Sequence, residues 1–256
     1  MKKRIQPHLM LGEGDVEQIC FLSGDPDRVP LIASYLKDAE EIARHRGLVS
    51  FNGYTPRDVC VTVTTTGMGP PSTAIVLEEL RRLGGKIFIR IGSCGGLPLE
   101  VKTGDLVIPF AAVRDEATSL TYAQRIYPAV TTPEVYLALT DACRQRAVQF
   151  HTGLVWTTAV YYQFSEPAAF KYWLNRRVMA VEMESSLLFT FAQVYGLAAG
   201  SILACDGNLQ VDPKGELETA ETEAGELHPD LKKAIVQEIK VAIDAADCLK
   251  LDSDWS

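Results

Sequence analysis

The feature that most constrains this fold is an alternation of short apolar runs with segments of helical period. Apolar runs bounded by glycine or charge predict buried strands at 19–23, 59–66, 86–91, 106–110, 153–158, 178–181 and 198–205. Segments of helical period lie between several of them, at 72–83, 133–146 and 183–195. This alternation predicts an α/β protein, with a single domain over 1–256 and a central mixed, largely parallel β-sheet flanked by helices.

The last part of the chain predicts one more helix. Apolar residues recur at helical spacing from Leu231 to Ala246, and Pro229 fits the first turn. We expect this amphipathic helix to cover the sheet. Just before it, residues 212–230 hold seven acids and one lysine. Two interpretations stay open for this segment: a solvated loop, or a mobile flap over a pocket.

Charge and cysteine usage exclude several classes of protein. A net charge of -8 argues against nucleic acid or anionic membrane as partners, since both need a basic surface. No run approaches the ~20 apolar residues of a membrane span, and no long apolar run follows the basic N-terminus. The six cysteines are scattered, without a C-x-x-C pair or a cysteine–histidine cluster. We therefore expect reduced thiols, a cytoplasmic protein and no metal site.

Three predicted strands end in small, polar, glycine-rich turns, at 23–29, 64–72 and 89–97. Glycine lets the backbone approach a ligand, and exposed N–H groups bind anions. In α/β sheets, ligands bind at the carboxyl ends of the strands. The three turns therefore predict one binding site.

Arg90 stands out because it is embedded in an otherwise apolar strand. A buried guanidinium must be paired or must face an anion, since an uncompensated buried charge is very costly. One interpretation is a structural ion pair. The other joins Arg90 with Arg28 and the Ser93 hydroxyl in an oxyanion site of phosphate size, and the three turns favour it.

Two acidic features follow later in the chain. Glu182 and Glu184 lie where a strand leads into a helix, so one can face a pocket while the other is solvated or caps the helix. A carboxylate there could bind the vicinal hydroxyls of a ribose, although an acidic helix start is common. Asp206 ends an apolar strand, where burial would raise its pKa and suit it to donate a proton. The alternative is a turn residue before Gly207.

In order and spacing, residues 24–28, 66–72, 90–95 and 181–185 resemble the nucleoside phosphorylase family that contains uridine phosphorylase and the hexameric purine nucleoside phosphorylases. The resemblance runs from about His8 to the final helix. It implies a pentosyltransferase reaction in which inorganic phosphate displaces the base from ribose C1′ to give ribose 1-phosphate. The transition state resembles an oxocarbenium ion, and phosphate is a co-substrate, with no cofactor.

The resemblance also implies roles for individual residues, sorted by the part of the substrate that each would contact. The residues that would hold phosphate are Gly24, Arg28, Arg46, Arg90 and Ser93. Those that would contact ribose are His8, Met68, Met183 and Glu184. Those that would contact the base are Cys94, Gly95, Tyr161, Glu182 and Asp206. Arg90 and Asp206 would be the catalytic pair.

The same resemblance implies an oligomer. Arg46 would reach phosphate, and His8 would reach ribose, in a neighbouring subunit. A lone subunit would then have an incomplete site. A dimer is the minimum expected, and a hexamer built from three dimers is the usual form in the family.

Base specificity follows from the remaining segments. Residues 157–164 resemble the base-stacking stretch, and residues 165–171 lack the glutamine–arginine pair by which uridine phosphorylases read uracil. Residues 203–207 resemble protozoan purine enzymes, with Asp206 where the acid contacts purine N7. Purine salvage is therefore the first expectation. Uridine phosphorolysis, a hydrolytic nucleosidase and a silent nucleoside-binding protein are the alternatives. One departure stands out: bacterial hexameric purine enzymes place an arginine after this acid, and no arginine follows Arg177 here.

Overall fold

In the computed structural model, which describes residues 5–162, 168–211 and 227–249, strands and helices alternate along the chain. The strands are β1 (Ile19–Ser23), β2 (Lys37–His45), β3 (Leu48–Tyr54), β4 (Cys60–Thr65), β5 (Ile87–Gly96), β6 (Leu106–Asp115), β7 (Ala129–Val130), β8 (Phe150–Thr158), β9 (Val178–Glu182) and β10 (Ala198–Asn208). The helices are α1 (Arg28–Ala33), α2 (Pro70–Arg82), α3 (Pro133–Gln145), α4 (Ala168–Leu174), α5 (Ser185–Val194) and α6 (Pro229–Cys248).

The strands form one mixed sheet that partly closes on itself. Its order is β10-β6-β8-β9-β5-β1-β4-β3-β2, with β7 on β6 and a further pairing of β10 with β5. That pairing closes β5, β10, β6, β8 and β9 into a barrel-like ring, from which β1, β4, β3 and β2 extend as an open sheet. β5 belongs to both parts, so residues on it stand at the junction.

The parallel strands at this junction bring the predicted turns together. β1 runs parallel to β4 and to β5, and β5 runs parallel to β10. In the register, Ser23 lies beside Thr65, and Leu22 and Ser201 flank Arg90 on either side. The turns after β1 and β4, the end of β5 and the end of β10 therefore share one edge of the sheet.

Helices cover both faces, as the alternation predicts. Alternate residues of β1 enter two different cores: Ile19 and Phe21 pack with residues of α1, α3 and α6, and Cys20 and Leu22 pack with residues of α2 and α5. This is the period-two pattern of a strand that is buried on both sides. The C-terminal helix is confirmed, and Pro229 is at its first position.

The structure differs from the sequence prediction mainly at strand ends. β5, β6 and β10 run on to Gly96, Asp115 and Asn208, through polar and glycine-containing segments that read as turns. The β2–β3 hairpin carries no apolar run because β2 is largely exposed and charged. Most of the acidic segment, residues 212–226, lies outside the described residues. In the described ranges, no helix is long and apolar enough to cross a membrane.

Candidate active site

The turns after β1 and β4 contact each other directly. The backbone N–H of Thr66 donates to the carbonyl oxygen of Ser23 at 2.7 Å, and a Cβ atom on Gly24 would lie 3.3 Å from the carbonyl oxygen of Gly67. Gly67 has a φ of +70°, and a Cβ on it would lie 2.6 Å from the Ser72 hydroxyl. Glycine is thus required where the chain turns tightly into α2.

Arg90 lies at the centre of the site with 6% of its surface exposed. Its Nε donates to Glu182 Oε2 at 3.1 Å, and its Nη2 is 2.6 Å from Glu184 Oε2. Burial disfavours the charged guanidinium, but Glu184 and Glu182 outweigh this effect and raise the pKa of Arg90. The ion pair, one of the two interpretations of Arg90 from the sequence, is therefore present.

Arg90 also keeps hydrogen-bonding capacity. Its two Nη1 N–H groups donate to no acceptor among the described residues. A Cβ on Gly92 would lie 2.6 Å from Nη1, so the absence of a side chain there makes room for the guanidinium. Residues two apart on a strand share a face, and Gly92 is the residue over which Arg90 folds.

The two glutamates at the end of β9 have different functions in the structure. Glu182 accepts from Arg90 Nε, from the hydroxyl of Thr157 at 2.5 Å, and from the backbone N–H groups of Glu184 and Ser185 at the start of α5. It therefore caps α5, as predicted for one of the pair, and its contact with a base has no support in this geometry. Glu184 instead faces Arg90 and accepts from the backbone N–H of Gly69 at 2.6 Å.

The burial of Glu184 has an electrostatic consequence. Desolvation raises the pKa of Glu184, Arg90 opposes this effect, and the nearby Glu182 adds to it. A buried carboxylate that holds one cation and one backbone N–H is positioned to exchange those partners for the hydroxyls of a ligand.

Arg28, the first residue of α1, faces the same space. Its Nη2 donates to the Ser93 hydroxyl at 3.1 Å, and its Nη1 donates to Glu238 Oε1 at 3.0 Å. Ser93 lies near the end of β5, three residues beyond Arg90. The structure thus brings Arg28, Arg90 and Ser93 to one edge of the sheet, as expected for an anion site.

Asp206 is the extra residue of a bulge. Cys205 pairs with Cys94 and Gly207 pairs with Gly95, so Asp206 has no partner in the β10–β5 register. Bulges redirect a side chain at the end of a strand. Burial raises the pKa of Asp206 from 3.8 to about 7, with Arg28 lowering it by a smaller amount. The direction matches the expectation from sequence, and Arg28 is the cation that acts on this acid.

The remaining residues predicted around the sugar and base lie at differing depths. Met68 is 82% exposed, and Met183 Cε lies 4.0 Å from the Cβ position of Gly69. Cys94 is buried beside Cys205, and a hydrogen bond with that thiol raises its pKa. Tyr161 is 53% exposed and packs edge-on against Tyr162. Residues 163–167, from the end of the predicted stacking stretch onward, lie outside the described residues.

His8 and Arg46 lie apart from these groups and close to each other. His8 Nδ1 is 2.7 Å from Glu79 Oε1, and its carbonyl oxygen is 3.1 Å from His45 Nδ1. Arg46 follows His45 in the exposed β2–β3 turn. Glu79 is nine residues after Pro70 on α2, about 14 Å along the helix from the Gly69 end at a rise of 1.5 Å per residue. His8 is therefore too far along α2 to line the site of its own subunit.

Sequence reasoning missed three residues that shape this region. Glu238 gave no signal because a lone acid in an amphipathic helix normally faces solvent. Thr157, which donates to Glu182, was predicted only as part of a strand and of the base-stacking stretch, and nothing in the sequence indicated this contact. Arg114 donates to five acceptors around residues 119–127, and it was missed because β6 extends beyond the apolar run at 106–110. In the described part of the chain, no group of three or more His, Cys, Asp or Glu side chains is arranged to hold a metal ion.

Three kinds of chemistry meet at this edge. Two guanidinium groups and a hydroxyl suit an oxyanion, a buried carboxylate suits a diol, and an acid that titrates near neutrality suits proton transfer.

The chain is similar to several known proteins along most of its length. A family model described as "Phosphorylase superfamily" matches residues 18–237. The chain is 37% identical to a uridine phosphorylase of Thermococcus kodakarensis, over 98% of this chain and 88% of the relative. It is 34% identical to a guanosine phosphorylase of Halorubrum lacusprofundi, over 95% and 99%. The crystal structure of a uridine phosphorylase from Vibrio fischeri superposes with a TM-score of 0.84 at 28% identity, covering 97% of this chain and 98% of that one.

Proposed function

Since the chain belongs to the phosphorylase superfamily of nucleoside phosphorylases, we propose that it cleaves the N-glycosidic bond of purine nucleosides by phosphorolysis. The products are the free base and ribose 1-phosphate. One observation carries the proposal: Arg28, Arg90 and Ser93 share an edge of the sheet with the acid Asp206, whose pKa is raised to about 7.

Phosphate binds at the arginine end of the site. Arg28 and Ser93 are hydrogen-bonded to each other, and the Nη1 donors of Arg90 have no acceptor among the described residues. A planar guanidinium matches two oxygens of one phosphate. A phosphate oxygen held there attacks ribose C1′ as the bond to the base breaks, so positioning lowers much of the barrier.

Glu184 binds the ribose hydroxyls. Its carboxylate is held by Arg90 and by the N–H of Gly69, which fixes it between the phosphate-binding residues and the start of α2. Positive charge develops on the sugar in the transition state. A carboxylate beside the hydroxyls and a phosphate beside C1′ both stabilise that charge.

Asp206 protonates the departing base. The electron pair of the glycosidic bond moves onto the purine, and a proton on the Asp206 carboxyl neutralises it at N7. A pKa of about 7 leaves roughly half of these carboxyl groups protonated at neutral pH. No arginine follows Asp206, but the field of Arg28 reaches it from the first strand–helix connection.

We propose a dimer as the smallest active form, with a hexamer of three dimers as the assembly. His8 contacts His45, the residue before Arg46, and Glu79 far along α2 from the site, which suits residues that complete a partner's site. Light scattering gives the mass. Mixing an Arg90→Lys variant with an Arg46→Ala variant tests sharing, because a mixed dimer would regain one intact site.

Uridine phosphorolysis is the second candidate. It is favoured by the uridine phosphorylases of Thermococcus and Vibrio among the relatives, whereas the Halorubrum guanosine phosphorylase favours a purine. The test is base release from inosine, guanosine, adenosine and uridine, with and without phosphate, with ribose 1-phosphate measured as product. Purine turnover that needs phosphate is expected. Turnover of uridine alone would reject the purine proposal, and release without phosphate would indicate a hydrolytic nucleosidase.

A further inference from the structure

A buried acid from the C-terminal helix lies behind the proposed phosphate site. Glu238 on α6 has no exposed surface, and its Oε1 accepts from Arg28 Nη1 at 3.0 Å. The two residues are 210 positions apart in the chain. The same guanidinium donates to Ser93 through Nη2, so Glu238 and Ser93 hold Arg28 from two sides.

The charged groups that act on Glu238 are both basic. Among the described residues, the charged groups that act on it are Arg28 from α1 and Arg90 from β5; β10 contributes the backbone of Ala204. Its Oε2 makes no hydrogen bond of normal geometry within the described residues. Burial raises the pKa of Glu238 to about 8, and Arg28 and Arg90 oppose this rise.

Glu238 also changes the charge balance of the site. Arg28 and Arg90 supply two positive charges, while Glu182 and Glu184 already pair with Arg90. With Glu238 ionised, three carboxylates face two guanidinium groups and an incoming phosphate meets a net negative charge, whereas with Glu238 neutral the charges of these groups balance. If Glu238 served only to hold Arg28 in place, a neutral hydrogen-bond acceptor would be enough. An ionised carboxylate also repels the incoming anion.

We propose that Glu238 is a positioning residue of the phosphate site that holds Arg28 against Ser93, and that its ionisation is linked to anion binding. The inference rests on the proposed function, which places phosphate at Arg28. A bound anion favours the neutral carboxyl, so Glu238 takes up one proton from solvent as phosphate binds and returns it on release. Anion affinity is then highest below the pKa of Glu238 and falls as pH rises through it.

Sulfate is the probe, because it keeps its double charge across the working pH range whereas phosphate does not. Asp206 lies near Arg28 and titrates near 7, so its contribution must be removed. We would therefore compare sulfate dissociation constants of Asp206→Asn and of Asp206→Asn/Glu238→Gln by calorimetry from pH 6.5 to 9.5. Glutamine keeps an acceptor for Arg28 without the titrating charge.

We expect the ratio of the two variants' sulfate dissociation constants to change with pH. As the pH rises from 6.5 to 9.5, the variant that keeps Glu238 should lose about tenfold more sulfate affinity than the variant with glutamine. Calorimetry in buffers of different ionisation enthalpy should show up to one proton taken up only when Glu238 is present. Parallel pH profiles with no difference in proton uptake would overturn the proposal. If the double variant does not fold, Glu238→Gln is compared with the wild type by the same proton count; a smaller uptake is expected, and an equal uptake overturns the proposal.

Phosphorolysis by the otherwise unchanged enzyme supplies the second readout. Glu238→Gln should lower the KM for phosphate about tenfold at pH 9.5, with kcat and the nucleoside KM within about threefold. Asp244→Asn is the matched control. It removes one charge from the same helix, but its partner is Arg146 at the surface, so the phosphate KM should not move.

The two proposals fail separately. If the wild-type protein releases no base in a phosphate-dependent way, the proposed function is wrong, and the sulfate measurements still decide whether Glu238 is linked to an anion at Arg28. If phosphorolysis is present and Glu238→Gln leaves the phosphate KM unchanged at every pH, the inference about Glu238 fails alone.

Discussion

Two buried arginines of this protein, Arg90 and Arg114, have similar exposure and opposite surroundings. Arg90 is 6% exposed and Arg114 is 8% exposed, and both lie on strands of the barrel-like ring. Arg114 donates all five of its N–H groups, to the Ser119 hydroxyl and to four backbone carbonyl oxygens. Arg90 contacts two carboxylates and keeps its Nη1 donors without an acceptor among the described residues.

The difference shows what separates a structural arginine from one in a binding site. Burial lowers the pKa of Arg114, whose partners are neutral, whereas Glu184 and Glu182 overcome burial and raise the pKa of Arg90. A guanidinium saturated by neutral carbonyls fixes the chain segment that supplies them. One that is held by acids and has spare donors can bind an anion while its position stays fixed.

The largest expected effect comes from replacing each arginine by lysine, which keeps the charge but removes the planar fork. Arg90→Lys should lower kcat/KM for phosphorolysis about 1,000-fold, because one point charge cannot hold two glutamates and a phosphate oxygen. Arg114→Lys should stay within about threefold when assayed well below its melting temperature. Steady-state kinetics on both variants checks this. Equal losses of kcat/KM in the two variants would contradict the distinction between a binding-site arginine and a structural arginine.

The free energy of unfolding, unlike the activity, should depend on Arg114. Arg114→Gln should lower the free energy of unfolding by about 3 kcal/mol, since it leaves several carbonyl oxygens between residues 119 and 127 without donors. Urea denaturation monitored by fluorescence measures this loss. The exposed Arg144, which pairs with Asp141 on α3, gives the control Arg144→Gln, with a change within about 0.5 kcal/mol.

The acid near Arg28 gives the third test. Asp206→Asn should lower kcat on the preferred purine nucleoside about 100-fold, because the amide cannot donate the proton that the leaving base requires. Melting temperature and phosphate binding serve as controls for folding and for the arginine groups. Unchanged kcat would remove Asp206 from proton transfer.

The smallest effect concerns stability against pH. The folded-state pKa of Asp206, about 7, lies above its ordinary value of 3.8, so the folded protein holds this proton more tightly than the unfolded chain. Its contribution to stability is therefore present below pH 4 and is lost as pH rises to about 7. The shift corresponds to ~4 kcal/mol, and solvent at this half-buried side chain screens about half of that. Asp206→Asn does not titrate and should therefore be ~2 kcal/mol more stable than wild type at pH 8, with the difference shrinking toward pH 4. Denaturation at both pH values measures it, and a constant difference would contradict the shift.

Local pattern predicted most of the fold. The apolar runs located seven of the strands, and the helical periods located α2, α3, α5 and α6. Period and burial are properties of neighbouring residues, so sequence alone carries them. The β2–β3 hairpin was missed because its exposed, charged β2 has no apolar run, and the short strand β7 because two residues carry no period.

Much of the candidate site also followed from sequence. Arg90 was identified because an arginine in an apolar strand requires a partner, and the glycine-rich turns marked the edge of the sheet on which Arg28 and Ser93 lie. The pKa of Asp206 moved in the expected direction. These inferences needed only the residue type and its place at a strand end.

The sequence by itself thus determined the strands, the turns and the residue types available at the site. Only the tertiary structure decided which charges pair. The bulge at Asp206, the capping of α5 by Glu182 and the contact of Glu238 with Arg28 all depend on strand register and helix placement. Such contacts join positions as far as 210 residues apart, and no local period encodes them. The arginine-free end of the chain therefore supplies the acid that holds an arginine at its beginning.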